Sequence, residues 1–210
     1  MHITLPTKVK QIISRLEKAD YEAYAVGGCV RDSILGRSPE DWDITTSAKP
    51  EEVKRLFSAT IDTGLQHGTV TVVIEKEGFE VTTFRLDGDY TDGRHPDRVA
   101  FTSSLTEDLR RRDFTINAMA YSEKRGLIDE FDGERDLEDG VIRAVGEAKE
   151  RFSEDALRML RAIRFAGQLN FKIEEKTFDA IKELSSNISK VSVERIAKEL
   201  ETVSYTHLTL

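Results

Sequence analysis

Hydrophobic positions at the start of the chain fall on one helical face. Val9, Ile12, Ile13 and Leu16 recur at offsets of three and four behind Pro6, which predicts a helix over residues 6–19 packed against something. The run YEAYAV reads as a short strand. Gly27 and Gly28 break it, and CVRDSILG, with Val30 and Ile34 on one face and Gly36 at its end, predicts a second helix. DWDITT alternates acidic and apolar residues among β-formers, predicting a second strand, and a helix from Pro50 to Phe57 follows. TVTVVI and FEVTTFR, joined by EKEG, predict an antiparallel hairpin, so the expected sheet is mixed.

Residues 87–98, DGDYTDGRHPDR, offer almost nothing to a core, and a loop of that length in a compact domain is more often functional than idle. Ser104 and Glu107 form a capping box that opens a helix running into EDLRRRDFTINAMAY, and GLIDEF and VIRAVG read as two strands around an acidic turn. From Ser153 the pattern is helical throughout, with Ser153 as cap, Glu154 and Asp155 at the positive end and no breaker before Gly167. The expected fold is therefore mixed α+β: a head domain over residues 1–148, then a helical neck over 149–202. Residues 203–210 are β-prone and polar where a helix should continue, and are expected to be a non-native tail.

Composition narrows the class. A chain of 210 residues, 39% hydrophobic and 33% charged, is an ordinary folded protein with room for two small domains. Its longest apolar stretches, such as Val70 to Ile74, are strand-sized, and MHITLPTKVK has no apolar core with a cleavage site, so no membrane partner is expected and the chain reads as cytoplasmic. A single cysteine, Cys29, excludes an internal disulfide, and His2, His67, His95 and His207 give no zinc spacing, so any metal must be held by oxygen. The net charge of −8 argues against nucleic acid only if binding follows the average field. Arginines bunch at Arg110, Arg111 and Arg112, and again at Arg158, Arg161 and Arg164, so local patches can still favour phosphates.

Asp41 and Asp43 stand two apart on the expected strand, which points both carboxylates to one face and Trp42 and Ile44 to the other. Parallel carboxylates repel unless a cation sits between them, and oxygen donors with no histidine or thiolate nearby suit magnesium. A bare Asp-x-Asp is commonly two solvent-facing acids. Here it follows GGCVRD, whose glycines permit close backbone approach to a ligand and whose Arg31 lies on the first turn of a helix, where amides and guanidinium can meet a triphosphate. Together these supply what phosphoryl transfer requires.

The run GGCVRDSILGRSPEDWDITT, then RRDFTINAMA, then EDALRMLRAIRF, resembles in order the motifs of the bacterial class of CCA-adding tRNA nucleotidyltransferases and their poly(A) polymerase relatives, over about Tyr21 to Leu200. The resemblance implies a polymerase-β-like nucleotidyltransferase head and a helical neck. It implies that Asp41 and Asp43 bind Mg2+, that Gly28 and Arg31 contact the nucleotide phosphates, and that Arg112, assisted by Asp113, reaches the nucleotide near its ribose. It also implies that Asp155, Arg158, Arg161 and Arg164 line the nucleotide pocket. A third carboxylate commonly completes such sites; Glu80 on FEVTTFR is the candidate, with a solvent-facing strand residue as the alternative. The implied substrates are CTP, ATP and the 3′ end of tRNA, and the loop at 87–98 is implied to help switch between the two nucleotides.

Offsets of three wind Asp155, Arg158, Arg161 and Arg164 into a stripe flanked by Leu157, Leu160 and Ile163 on one side and Met159, Ala162 and Phe165 on the other. Such a helix is expected to be largely buried, and its arginines need anions, either from a ligand or from an internal salt-bridge network; both readings stand. Cytosine and adenine present an amino donor beside a ring-nitrogen acceptor, whereas guanine and uracil present the reverse, so a carboxylate beside a guanidinium accepts CTP and ATP and leaves polar groups unpaired against GTP and UTP. The alternatives are a poly(A) polymerase, a CC-only or A-only adding enzyme, and a non-catalytic nucleotide- or RNA-binding module. After VERIAKEL the resemblance predicts further helical body and tail domains.

Overall fold

The computed structural model describes residues 2–88 and 99–207, with side chains described as far as residue 201. Most of the loop expected at 87–98 lies outside the described residues. The described chain forms two compact units. The first takes in residues up to 87, 99–111 and 117–131, and the second residues 112–116 and 132 onward.

The first unit opens with α1 (Thr7–Lys18), which buries Val9, Ile12, Ile13 and Leu16, the face that the periodicity marked. Then come β1 (Ala23–Val26), α2 (Gly28–Ile34), β2 (Ile44–Thr46), α3 (Pro50–Leu56), β3 (Thr60–Gly64), β4 (Thr69–Ile74) and β5 (Glu77–Thr83). A ribbon of β6 (Arg85–Asp87) and β7 (Val99–Phe101) precedes α4 (Leu105–Arg110), β8 (Met119–Ser122) and β9 (Gly126–Asp129). Seven strands form one sheet in the order β3-β4-β5-β2-β1-β8-β9. Only β2 and β5 run parallel, so the sheet is mixed as expected. The β4–β5 hairpin turns at Glu75 and Lys76, whose φ values of 50° and 68° are the paired left-handed conformations that match strand twist.

Four local readings are corrected. The strand expected over DWDITT begins only at Ile44, because its neighbour β1 ends at Val26; the last ladder bond runs from the Val26 amide to the Asp43 carbonyl at 3.0 Å. Strand β3 and the β6–β7 ribbon went unmarked, since an edge strand with Ile61 55% exposed buries too little to leave a pattern. The Ser104 hydroxyl does accept the Glu107 amide, but α4 stops at Arg110. Residues 113–121 are buried at every position, which no one-sided helix permits, and the segment passes through a 3₁₀ turn into β8. Between the strands expected around an acidic turn lies a short helix, α5 (Gly133–Asp139).

In the second unit β10 (Val141–Ile142) pairs in parallel with β11 (Lys172–Ile173). Around them lie α6 (Ala148–Glu154), α7 (Leu157–Leu169), α8 (Glu175–Leu184) and α9 (Val193–His207). Phe114, Phe152, Met159, Ala162 and Phe165 form its core, with Phe114 edge-on to Phe165 at 5.9 Å. The single helix expected from Ser153 is two helices, broken at Asp155 and Ala156. Ser153 is no cap, its hydroxyl donating to the Lys149 carbonyl at 2.7 Å in the last turn of α6. Helix α7 passes through Gly167 and ends where Asn170 takes φ 57°. The α9 backbone stays helical to His207, where a β-prone tail was expected. Among the described residues no helix is long and apolar enough to cross a membrane.

The turn between β1 and α2 is held by Gly27, at φ 82° and ψ −133°, a region that side chains strain. Gly28 already sits in the helix, and a Cβ there would meet only the Arg31 Nη2 at 3.6 Å. Urea denaturation is therefore expected to show a loss of about 1–3 kcal/mol for Gly27→Ala. For Gly28→Ala the expected change is less than about 1 kcal/mol.

Candidate active site

Parallel pairing of β2 with β5 sets Ile44 beside Val81, and extending that register by one residue sets Asp43 beside Glu80. Asp43 is the residue just before β2, so a strand continued by one position would turn its carboxylate to the face that carries Glu80. Burial first, then Asp43 and Asp41, raise the Glu80 carboxyl above its ordinary value of 4.5, which locates all three acids within electrostatic reach. Solvent reaches all three side chains, so screening limits the size of the effect. The structure thus brings together Asp41, Asp43 and Glu80.

Such a cluster fits a hard cation. Its donors are oxygens, and burial pushes the nearby Cys29 thiol up to about 11, so it offers no thiolate at neutral pH. Among the described residues no group of three or more His, Cys, Asp or Glu side chains is arranged to hold a metal ion by itself. Magnesium usually takes one or two carboxylates and completes its shell with water and substrate phosphate, so Asp41 and Asp43 would supply enough protein donors.

Arg31 is nearly buried on α2. Its Nη1 donates to the Asn117 Oδ1 at 2.7 Å, and its Nε and Nη2 donate to the Asp32 carboxylate at 2.9 Å each. Asn117, just before β8, orients the guanidinium and was not picked out from the sequence; an asparagine between two buried apolar residues leaves no pattern of its own.

The other expected site residues lie in the second unit. Arg112 is partly buried in the turn after α4. Its neighbour Asp113 accepts from Arg161 Nε at 2.8 Å and Nη2 at 2.7 Å, and this carboxylate raises the Arg161 pKa further above its ordinary range. Arg164 donates to Glu199 at 2.6 Å and to Gln168 at 3.0 Å, and lies over the Phe165 ring. Arg158 pairs with Glu154 and donates to the Arg151 carbonyl at 3.1 Å. Asp155 lies outside α7: it accepts the Leu157 amide at 3.0 Å and pairs with Arg195 Nη2 at 2.7 Å.

The arginines of the stripe are met by protein carboxylates, the internal network that the sequence left open. Asp155 is engaged by Arg195, and α7 is not buried all round, since Ile163 is 50% exposed while Leu157 on the same flank is buried. Arg195 and Glu199, on α9, were missed as site residues; four apart with opposite charge, they read as a surface pair.

A mixed sheet with carboxylates gathered where its two parallel strands meet, beside a glycine turn into a helix that carries a buried arginine, is the class of fold expected of a nucleotide-polymerising head domain. Residues 23–143 match the poly A polymerase head domain, and residues 170–203 match a family described as the probable RNA and SrmB-binding site of polymerase A. The chain belongs to the poly A polymerase head domain family. It is 55% identical over 190 residues to a CCA-adding enzyme of Leuconostoc mesenteroides, covering 90% of this chain and 47% of that one. With a CCA-adding enzyme of Lactiplantibacillus plantarum the identity is 56% over 192 residues, covering 91% and 47%. The crystal structure of the Bacillus stearothermophilus CCA-adding enzyme in complex with CTP superposes with a TM-score of 0.87 at 46% identity, over 96% of this chain and 49% of that one. The chain spans about half the length of these relatives.

A carboxyl whose folded pKa is raised binds its proton more tightly folded than unfolded. The penalty on folding is absent well below pH 4.5 and grows as pH rises through the raised value. Glu80→Gln is accordingly expected to raise the melting temperature at pH 7 and leave it unchanged near pH 3.5. Equal shifts at both pH values would show that the Glu80 carboxyl is not raised in the folded chain.

Proposed function

We propose that this chain carries the catalytic head and neck of a cytoplasmic tRNA nucleotidyltransferase that adds CMP and AMP from CTP and ATP to the 3′ end of tRNA. The observation that carries the reading is the convergence of Asp41 and Asp43 on Glu80. It is supported by the match of the head to the poly A polymerase family and by the similarity of the chain to CCA-adding enzymes, one of them solved with CTP.

In this reading Asp41 and Asp43, with Glu80 beside them, hold Mg2+. When bound, magnesium supplies charge neutralisation at the reacting hydroxyl and along the triphosphate. The RNA 3′-hydroxyl oxygen attacks the α-phosphorus and gives its proton to solvent, a P–O bond forms, and the bond to pyrophosphate breaks. Gly28 brings backbone close to the phosphates, and Arg31, oriented by Asn117 and Asp32, offsets their charge, so this part of the site works by positioning and electrostatics. In the second unit Arg112 approaches the sugar. Asp155 and Arg158 read the base edge, accepting from and donating to the order that cytosine and adenine share. Arg161 and Arg164 complete that cluster, each already held by a carboxylate that a ligand would compete with.

Labelled CTP and ATP, offered with a tRNA lacking its terminal nucleotides, test the reaction. Incorporation should stop after two C and one A. A long tail made from ATP alone would identify a poly(A) polymerase, and failure to incorporate either nucleotide would identify a binding module. Asp43→Asn should lower incorporation by about three orders of magnitude, the several kcal/mol of charge stabilisation expected of such a site, without lowering the melting temperature. Asp155→Ala should narrow the preference for CTP and ATP over UTP and GTP by roughly tenfold or more, read as the ratio of kcat/KM values.

A further inference from the structure

The most deeply buried carboxylate of the first unit takes no part in the chemistry above. Asp108, on α4, has no exposed surface. Its Oδ2 accepts the Thr45 hydroxyl at 3.1 Å, a proton shared with the Thr82 carbonyl at 3.2 Å, and its Oδ1 accepts Arg111 Nη2 at 2.7 Å, Arg111 Nε at 3.1 Å and the Arg85 amide at 3.3 Å. The cluster continues outward. Arg111 Nη1 lies 3.5 Å from Asp87 and Arg85 Nε 2.9 Å from Asp87, while Arg85 Nη1 donates to the His67 carbonyl at 2.5 Å. Two carboxylates and two guanidinium groups alternate, so the buried charges compensate one another.

The position of Thr45 gives this cluster its meaning. Thr45 is two residues beyond Asp43, the residue just before β2, so continuing the strand back by one position would turn both side chains to one face of the sheet. Strand β2 is only three residues long, and the ladder bond at Asp43 is its last on the β1 side. β1 and β5 hold the three residues of β2 on both sides, but Asp43 stands just outside that pairing, and its carboxylate takes its direction from the strand end that follows it. Asp108 adds a fixed point on that face, and Arg111 and the Arg85 amide hold Asp108 in turn.

We propose that Asp108 is a positioning residue for the reaction: through the Thr45 hydroxyl it fixes the end of β2 from which Asp43 projects, and so sets the affinity of the Asp41–Asp43 site for divalent metal. A role confined to stability would lower the melting temperature and leave metal affinity alone. The inference rests on the proposed metal site, and the test separates the two.

Trp42, the only tryptophan of the chain, lies between Asp41 and Asp43 and reports on that site. Paramagnetic Mn2+, titrated into the full chain with and without CTP, should quench its fluorescence saturably, and Asp43→Asn should remove the saturable part. Thr45→Val and Asp108→Asn should raise the Mn2+ midpoint fivefold or more in protein that remains folded by circular dichroism, and Thr45→Ser, which keeps the hydroxyl, should stay within twofold of wild type. Loss of quenching in Asp43→Asn with unchanged midpoints in Thr45→Val and Asp108→Asn overturns the positioning role alone. Quenching unaffected by Asp43→Asn, or absent from wild type, overturns the metal site and the inference with it. Should Asp108→Asn fail to fold, Thr45→Val decides, because it removes one buried hydroxyl and leaves every charge in place.

Discussion

Two parallel strands hold like charges together in this protein. Antiparallel pairing accounts for the rest of the large sheet, and only where β2 lies along β5 do residues of two distant segments run in the same direction. That pairing leads Asp43 and Asp41 into electrostatic reach of Glu80, and burial first, then the two aspartates, raise the affinity of Glu80 for its proton. A folded chain keeps such repulsion where something else relieves it, and a divalent ion with a triphosphate relieves it well. Gly27 turns the chain into α2 next to this strand, and α2 carries Arg31. The proposed nucleotide phosphates therefore find metal ligands and a fixed cation in one unit.

The second unit solves the opposite problem. Its arginines are cations that would be costly to bury alone, and each is met by a carboxylate drawn from elsewhere in the unit: Asp113 for Arg161, Glu199 for Arg164, Glu154 for Arg158. Helix α9 is central to this, since it supplies both Glu199 and the Arg195 that holds Asp155. A base-reading role for Asp155 and Arg158 then means exchanging internal partners for a ligand. Charges already desolvated and oriented lose less on binding than free ones.

Much of this was legible in the chain, and the gaps have physical causes. Helix α1 and the β4–β5 hairpin were readable because one face of each is buried and the other wet, so burial leaves a period. Strand β3 was not, because both its faces are largely wet, and the segment from Asp113 to Tyr121 was misread because both of its faces are dry. The break at Asp155 and Ala156 involves neither glycine nor proline. It is made by the extended Asp155, whose side chain caps the Leu157 amide and meets Arg195 forty residues away, a partnership no local pattern records. Asp41 and Asp43 were visible as a pair from their spacing. That Glu80 belongs with them depends on a strand register, which spacing does not carry.

The central claim is the proposal that Asp41 and Asp43 hold a divalent metal with Glu80 beside them, and anomalous diffraction from crystals soaked in Mn2+ and CTP tests it most directly. The account predicts an anomalous peak within about 2–2.5 Å of carboxylate oxygens of both Asp41 and Asp43, with Glu80 adjoining. A chain that binds CTP yet shows no peak there, or shows its only peak against other residues, would contradict it.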